Sequence, residues 1–91
     1  MKVLIAEDDE NIRKGLTEIL ESEGYCAVAV PDGRTALEAF VAEAPDLVLL
    51  DIMMPGASGY DVCREVRRRD PRVPILFISA KSEEIDKVVG L

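Results

Sequence analysis

Apolar residues along this chain follow two alternating patterns. Short, unbroken apolar runs occupy residues 3–6, 26–30, 47–50 and 75–78, and the longer segments after them carry apolar residues at helical spacing. Unbroken runs are typical of strands covered on both faces, as in parallel sheets, whereas half-exposed strands alternate polar and apolar residues. The pattern therefore predicts four buried strands, each followed by a helix.

Each helical segment has an apolar stripe and a signal at one end. Gly24 is expected to end the first helix. Ser58, with Asp61 three residues later, can cap the third helix, and Ser82 can cap the fourth. The stripes consist of Ile12, Leu16, Ile19 and Leu20; Ala36, Leu37, Phe40 and Val41; Val62, Cys63 and Val66; and Ile85, Val88 and Val89. The βαβαβαβα order predicts one α/β domain with a parallel sheet, right-handed crossovers and helices on both faces.

The composition argues against several classes of protein. The 91 residues carry 18 acids and 11 bases, and a net charge of −7 is unfavourable for a general nucleic-acid surface. The run Arg67-Arg68-Arg69 is interpreted as a solvated helix end, where cations favour the helix dipole, rather than as a phosphate or partner patch. No apolar stretch is long enough to span a membrane, and the first residues show no signal-peptide pattern. We therefore expect a cytoplasmic protein.

The two cysteines, Cys26 and Cys63, do not have the spacing of a zinc site, and the chain contains no histidine. Cys26 lies in an apolar strand and Cys63 on a helix face. Both are predicted to be core thiols in a reducing compartment.

Acidic residues directly follow two of the predicted strands. Glu7, Asp8 and Asp9 come after the first strand, and Asp51 comes after the third. Because ligands of open α/β sheets bind outside the carboxyl ends of the strands, we expect these acids to form one site. Crowded carboxylates either take up protons or share a cation. Oxygen ligands without histidine or cysteine suit a hard cation such as Mg²⁺.

A structural alternative exists for each of these polar residues. Asp9 is favoured as a cap of the first helix. Capping explains Asp51 poorly, because a loop containing Pro and Gly follows it rather than a helix. Ser79, after the fourth strand, could donate a hydrogen bond to an anion on Asp51, although a serine there is by itself typical of a turn. Lys81 lies two residues further out and is disfavoured as a phosphate ligand.

Several stretches together resemble the receiver domain of bacterial two-component response regulators. They are VLIAEDD at residues 3–9, PDLVLLDIMMPG at residues 45–56, Gly59, and FISAK at residues 77–81. The resemblance covers nearly the whole chain and implies a flavodoxin-like, doubly wound parallel sheet. Residues 1–91 would form a receiver domain that is incomplete at its C-terminus.

The resemblance implies a role for each matching residue. Asp51 would accept a phosphoryl group from a sensor histidine kinase, and Ser79 would hydrogen-bond the phosphoryl oxygens. Mg²⁺ would be bound by Asp8, Asp51 and the backbone carbonyl of Met53, with Glu7 acting through water. Pro55 and Gly59 would shape the loop beside the acceptor. The domain would not be an enzyme beyond catalysing its own phosphorylation and dephosphorylation.

The chain also departs from the family pattern. It matches a (βα)4 portion of the (βα)5 receiver fold, without the fifth strand, its lysine and aromatic switch residue, or the fifth helix. Strand four would then be an edge strand, which favours self-association. We expect an isolated chain of this size to be weakly stable.

Three alternatives to a competent phosphoacceptor remain open. A phosphohydrolase with an aspartyl nucleophile typically carries a second Asp two residues after the first, where this chain has Met53. A nucleotide- or flavin-binding domain would need a Gly-rich loop after strand one, where this chain has acids. A truncated or engineered receiver fragment could keep the fold without switching. No DNA-binding element is recognisable in the sequence.

Overall fold

The computed structural model describes residues 1–54 and 56–78, which form a parallel sheet with helices on both faces. Their elements, in chain order, are β1 (Lys2–Ala6), α1 (Glu10–Ser22), β2 (Cys26–Val30), α2 (Gly33–Glu43), β3 (Leu47–Asp51), α3 (Gly59–Arg69) and β4 (Ile75–Ile78). All four strands lie close to the predicted runs. The predicted fourth helix, with Ser82 as its cap, lies outside the described residues.

The sheet has the strand order β2-β1-β3-β4, and all of its pairs are parallel. The first connection places β2 on one side of β1, and the next carries the chain back to the other side. Ala6 at the end of β1 is therefore in register with Val30 on one side and with Leu50 on the other. In open α/β sheets, the crevice at such a reversal of strand order is where ligands bind.

Two apolar clusters cover the two faces of the sheet. One face packs against α2 and α3 through Ala36, Phe40, Val62 and Val66. The other face packs against α1 through partly buried leucines, Leu16 and Leu20. The residues of β1 and β3 are almost completely buried between these layers, which explains why both strands are unbroken apolar runs.

Short polar side chains begin all three described helices. The carboxylate of Asp9 accepts from the N–H groups of Asn11 and Ile12, which confirms its predicted capping role. Asp32 caps α2 by accepting from Thr35. Ser58 and Asp61 form the predicted capping box of α3. These caps fix the direction in which each helix leaves the carboxyl end of its strand.

Several burial predictions were wrong. Cys26 is exposed rather than part of the core, whereas Cys63 is partly buried and packs against the apolar cluster beneath α2 and α3. The cause lies in the sheet order, because β2 is a terminal strand of the described sheet and none of its residues is fully buried. Ile19 and Val41 are 62% and 60% exposed. Consecutive helix residues point about 100° apart, so neighbours of the inward-facing Leu20 and Phe40 turn outward.

The arginine run does lie in the last turn of α3, as predicted. Arg68 pairs with Glu65, which is consistent with a solvated surface. Arg67 has a further structural role. Its guanidinium donates to the carbonyl oxygens of Asp70 and Val73, and these bonds stabilise the turn before β4. None of the helices in the described ranges is both long and apolar enough to cross a membrane.

Candidate functional site

Three acidic side chains meet where β1 and β3 end. These strands are neighbours, and the pairing of Ala6 with Leu50 brings the next residues, Glu7 and Asp51, to the same edge of the sheet. One carboxylate oxygen from each of Glu7, Asp8 and Asp51 lies within 4.8 Å of the others. The predicted convergence of these acids is confirmed.

Two of the three carboxylates are removed from solvent. Glu7 is 0% exposed and Asp51 is 1% exposed, while Asp8 is partly exposed. Glu7 Oε1 and Asp51 Oδ2 are buried without a hydrogen-bond partner among the described residues. A buried, unpaired carboxylate oxygen is unfavourable unless it is protonated or meets a cation. Among the described residues, no positive group meets either of these two oxygens.

The electrostatics of the pocket favour protonation when no cation is bound. Burial raises the pKa of Glu7 to about 7, and the charge of Asp51 adds to this effect, although the N–H of Asp9 acts against it. Burial also raises the pKa of Asp51, assisted by Asp8 and opposed by the N–H of Met53. Both shifts reflect the difficulty of holding several negative charges together away from water.

These residues fit a hard divalent cation. Glu7, Asp8 and Asp51 offer only carboxylate oxygens, at mutual distances that one ion can bridge. Glu7 Oε1 and Asp51 Oδ2 have no hydrogen-bond partner within the described ranges, and Asp51 Oδ1 accepts from the N–H of Met53 at 3.2 Å. The group could therefore hold a metal ion of the Mg²⁺ type.

The loop after β3 is packed tightly against the strand end. Gly59 N–H donates to the carbonyl oxygen of Ile52 at 3.0 Å. A Cβ at Gly59 would meet the carbonyl oxygen of Asp51 and approach Ile52 Cα to 3.0 Å, so only glycine fits without a shift. This packing agrees with the loop-shaping role implied for Gly59. Met53 is 64% exposed, and the role of its carbonyl stays a prediction.

Three other residues that the sequence analysis considered for this site lie outside the described residues. They are Pro55, Ser79 and Lys81, and their expected roles stay predictions. Within the described ranges, the predicted site is represented by the acidic cluster of Glu7, Asp8 and Asp51.

Arg13 is a neighbour of the site that the sequence reasoning missed. From α1, its guanidinium Nη1 donates to the carbonyl oxygen of Glu7 at 2.9 Å. The position of Arg13 in the first turns of α1 could have revealed this contact. Helix side chains point towards the helix N-terminus, so a long side chain there reaches the preceding loop.

Gly33 was missed too, where an added Cβ would lie 2.7 Å from the carbonyl oxygen of Ala57.

Comparison with known proteins agrees with this fold. The family model of the response regulator receiver domain matches residues 3–91. The chain therefore belongs to the response regulator receiver domain family, the class that the resemblance implied.

A similar curated protein is the sensory transduction protein RegX3 of Mycolicibacterium smegmatis, 48% identical over 89 residues. That match covers 98% of this chain and 39% of RegX3, so the chain spans about two fifths of such relatives.

Solved structures of receivers share the fold. The response regulator TrrA of Thermotoga maritima, in complex with Mg²⁺-BeF, matches with a TM-score of 0.84 and 38% identity, over 93% of this chain and 74% of that one. A structure of the histidine kinase ThkA in complex with TrrA matches with a TM-score of 0.82 and 39% identity, over 90% of this chain and 71% of that one. These matches confirm the flavodoxin-like receiver architecture.

Proposed function

We propose that this chain is a phosphoacceptor module of a two-component phosphorelay, with Asp51 as the acceptor. The observation that carries the proposal is the buried Asp51 carboxylate, whose Oδ2 has no partner among the described residues and which lies with Glu7 and Asp8 in one acidic pocket. An acid held in this way is available as a nucleophile once a cation neutralises its neighbours.

The metal in this proposal is Mg²⁺. Asp8, Asp51 and the backbone carbonyl of Met53 would bind it directly, with Glu7 acting through water. When bound, it would supply positive charge that offsets the repulsion between the Asp51 carboxylate and an incoming phosphoryl group. The main-chain N–H of Met53, which donates to Asp51 Oδ1, would hold the acceptor carboxylate in one orientation during the transfer.

The transfer itself forms a bond between an Asp51 oxygen and phosphorus. The bond from phosphorus to the kinase histidine breaks, and its electron pair stays on the histidine nitrogen, which then takes up a proton. The product is an acyl phosphate, which water can hydrolyse back to the carboxylate. Ser79 would hydrogen-bond the phosphoryl oxygens. The chain would catalyse only its own phosphorylation and dephosphorylation, and the new charge would switch a downstream output.

The partner and the location follow from this role. The TrrA complex with ThkA shows that a receiver similar to this chain binds a histidine kinase, and we propose a sensor histidine kinase as the partner here. A cytoplasmic location is proposed because the exposed thiol of Cys26 is free, as is usual in a reducing compartment.

Beryllofluoride, a stable mimic of a phosphoryl group, tests the proposal. With Mg²⁺ present, it should shift the spectra of residues around Asp51 in a nuclear magnetic resonance titration of the natural protein that carries this chain. Asp51→Asn should abolish the shift. Asp46→Asn is the matched control, because Asp46 is an exposed aspartate just before the opposite end of β3.

Two outcomes would count against the proposal. A shift that survives Asp51→Asn would place the anion elsewhere. The lack of any shift in the wild-type natural protein would favour the alternative of a receiver fold without competent switching.

A further inference from the structure

The loop between β1 and α1, which carries Glu7 and Asp8, is held by the side chain of Arg13. The guanidinium Nη1 donates to the carbonyl oxygen of Glu7 at 2.9 Å and makes a longer contact of 3.5 Å with that of Asp8. The main-chain N–H of Arg13 donates to the carbonyl oxygen of Asp9 at 2.9 Å. One partly buried residue of α1 thus contacts three consecutive residues of the loop.

Glu7 is bonded through nearly all of its polar groups. Its N–H donates to the carbonyl oxygen of Val30 at 3.1 Å, and its Oε2 accepts from the N–H of Asp9 at 2.9 Å. Its carbonyl oxygen accepts from Arg13. Only Oε1 is left without a partner within the described ranges. These bonds hold Glu7 in the acidic cluster and leave one oxygen for a ligand.

The bond from Arg13 works against a force that acts on this loop. When Glu7, Asp8 and Asp51 lose their protons to receive a cation, their carboxylates repel one another, and repulsion between buried charges is strong because little solvent screens it. Moving the loop away from β3 would relieve that repulsion. The charged hydrogen bond from Arg13 to the main chain of Glu7 opposes this movement without occupying a carboxylate oxygen of Glu7.

We propose that Arg13 is a positioning residue of the cation pocket, which sets divalent-cation affinity by holding the main chain of Glu7 and Asp8. This proposal rests on the proposed function. Groups that orient metal ligands from outside the coordination sphere typically change metal affinity at least tenfold when removed.

The direction in which Mg²⁺ affinity changes when Arg13 is replaced distinguishes a positioning role from a purely electrostatic one. A guanidinium near the pocket repels a bound cation, so removing its charge alone would tighten Mg²⁺ binding. Loss of positioning would weaken Mg²⁺ binding instead. We therefore expect Arg13→Met to raise the Mg²⁺ dissociation constant about tenfold. Arg13→Lys keeps the charge but replaces the planar fork by a point charge, so it should weaken binding as well.

The test is a calorimetric Mg²⁺ titration of the natural protein that carries this chain, in the wild-type, Arg13→Met, Arg13→Lys and Lys14→Met forms. Lys14 is the matched control, because it is exposed and its side chain makes no hydrogen bond or ion pair with a described residue. Lys14→Met should leave the affinity unchanged or slightly tighter. Urea unfolding without Mg²⁺ gives the stability of each variant, so that a loss of fold is separated from a loss of affinity.

The outcomes divide clearly. A rise of more than threefold in the dissociation constant of folded Arg13→Met, with Lys14→Met unchanged, supports the positioning role. A smaller rise, or tighter binding, overturns it. If Arg13→Met does not fold, Arg13→Lys is judged by the same criterion, and loss of the fold in both variants would make Arg13 a folding residue and overturn the proposal. If the wild-type protein itself binds no Mg²⁺, the proposed function fails together with this inference.

Discussion

Glu7 and Asp51 bring two buried carboxylates to the ends of neighbouring strands, and each keeps one oxygen without a partner among the described residues. An arrangement like this is unfavourable for stability, because two desolvated acids are held together. It is suited to binding a cation, because the fold has already removed these carboxylates from water. Several consequences can be measured.

The first is a pH-dependent stability in the absence of metal. The folded-state pKa of Glu7 is raised from 4.5 to about 7, so between these values the folded state binds more protons than the unfolded state. The unfolding free energy of the protein should therefore fall as the pH rises through this window. Urea unfolding at a series of pH values checks the slope. Glu7→Gln should flatten the curve, and an unchanged slope in that variant would contradict the assignment to Glu7.

The second concerns the stability of Asp51→Asn. Relative to the wild type, this variant should be more stable without metal and less stable with metal. Without Mg²⁺, removing one of the crowded charges should raise the unfolding free energy. With Mg²⁺ at one hundred times its dissociation constant, the wild type should gain about 2.7 kcal/mol and the variant much less. Thermal and urea unfolding measure both effects. Asp46→Asn should keep the full gain from Mg²⁺, and an equal gain in Asp51→Asn would argue against Asp51 as a ligand.

The third concerns two glycines in different surroundings. Gly59→Ala places a Cβ against the Asp51 carbonyl and should lower stability by about 1–3 kcal/mol, with weaker Mg²⁺ binding because the strand end must move. Gly15→Ala is the control, because a Cβ there meets nothing within 4 Å and alanine favours the helix by about 0.5–1 kcal/mol. Equal stability changes in the two variants would contradict the packing at Gly59.

The fourth concerns the 91-residue chain in isolation. Among the described residues β4 pairs only with β3, so we expect low stability and association between copies through this strand. Sedimentation velocity over a range of concentrations should show self-association, and urea unfolding should show a low midpoint. A monomer at all concentrations with a sharp, cooperative unfolding transition would contradict this prediction.

Much of the site could be predicted because it depends on local patterns. The unbroken runs ending at Ala6 and Leu50 predicted buried strands, and acids directly after them had to meet if those strands were neighbours. The cap at Asp9 and the capping box of Ser58 follow from short-range chemistry in the same way. The two caps needed no tertiary information, whereas the meeting of the acids also required that the first and third strands be neighbours.

Features that depend on the order of the strands were not predictable in this way. Cys26 was expected in the core and is exposed, because β2 lies at the side of the described sheet and an apolar run does not reveal its place in the order. The bond from Arg13 to Glu7 depends on the angle at which α1 leaves β1 and on the path of a long side chain. Neither is encoded in residue spacing alone.

The central claim is that Asp51 receives the phosphoryl group, and chemical mapping tests it most directly. The natural protein that carries this chain is incubated with Mg²⁺ and a small acyl-phosphate donor, and the modified residue is located by mass spectrometry after the acyl phosphate has been trapped. We predict one phosphoryl group on Asp51, which disappears when Mg²⁺ is chelated and in Asp51→Asn. A phosphoryl group on another residue, or the same labelling in Asp51→Asn, would contradict the account.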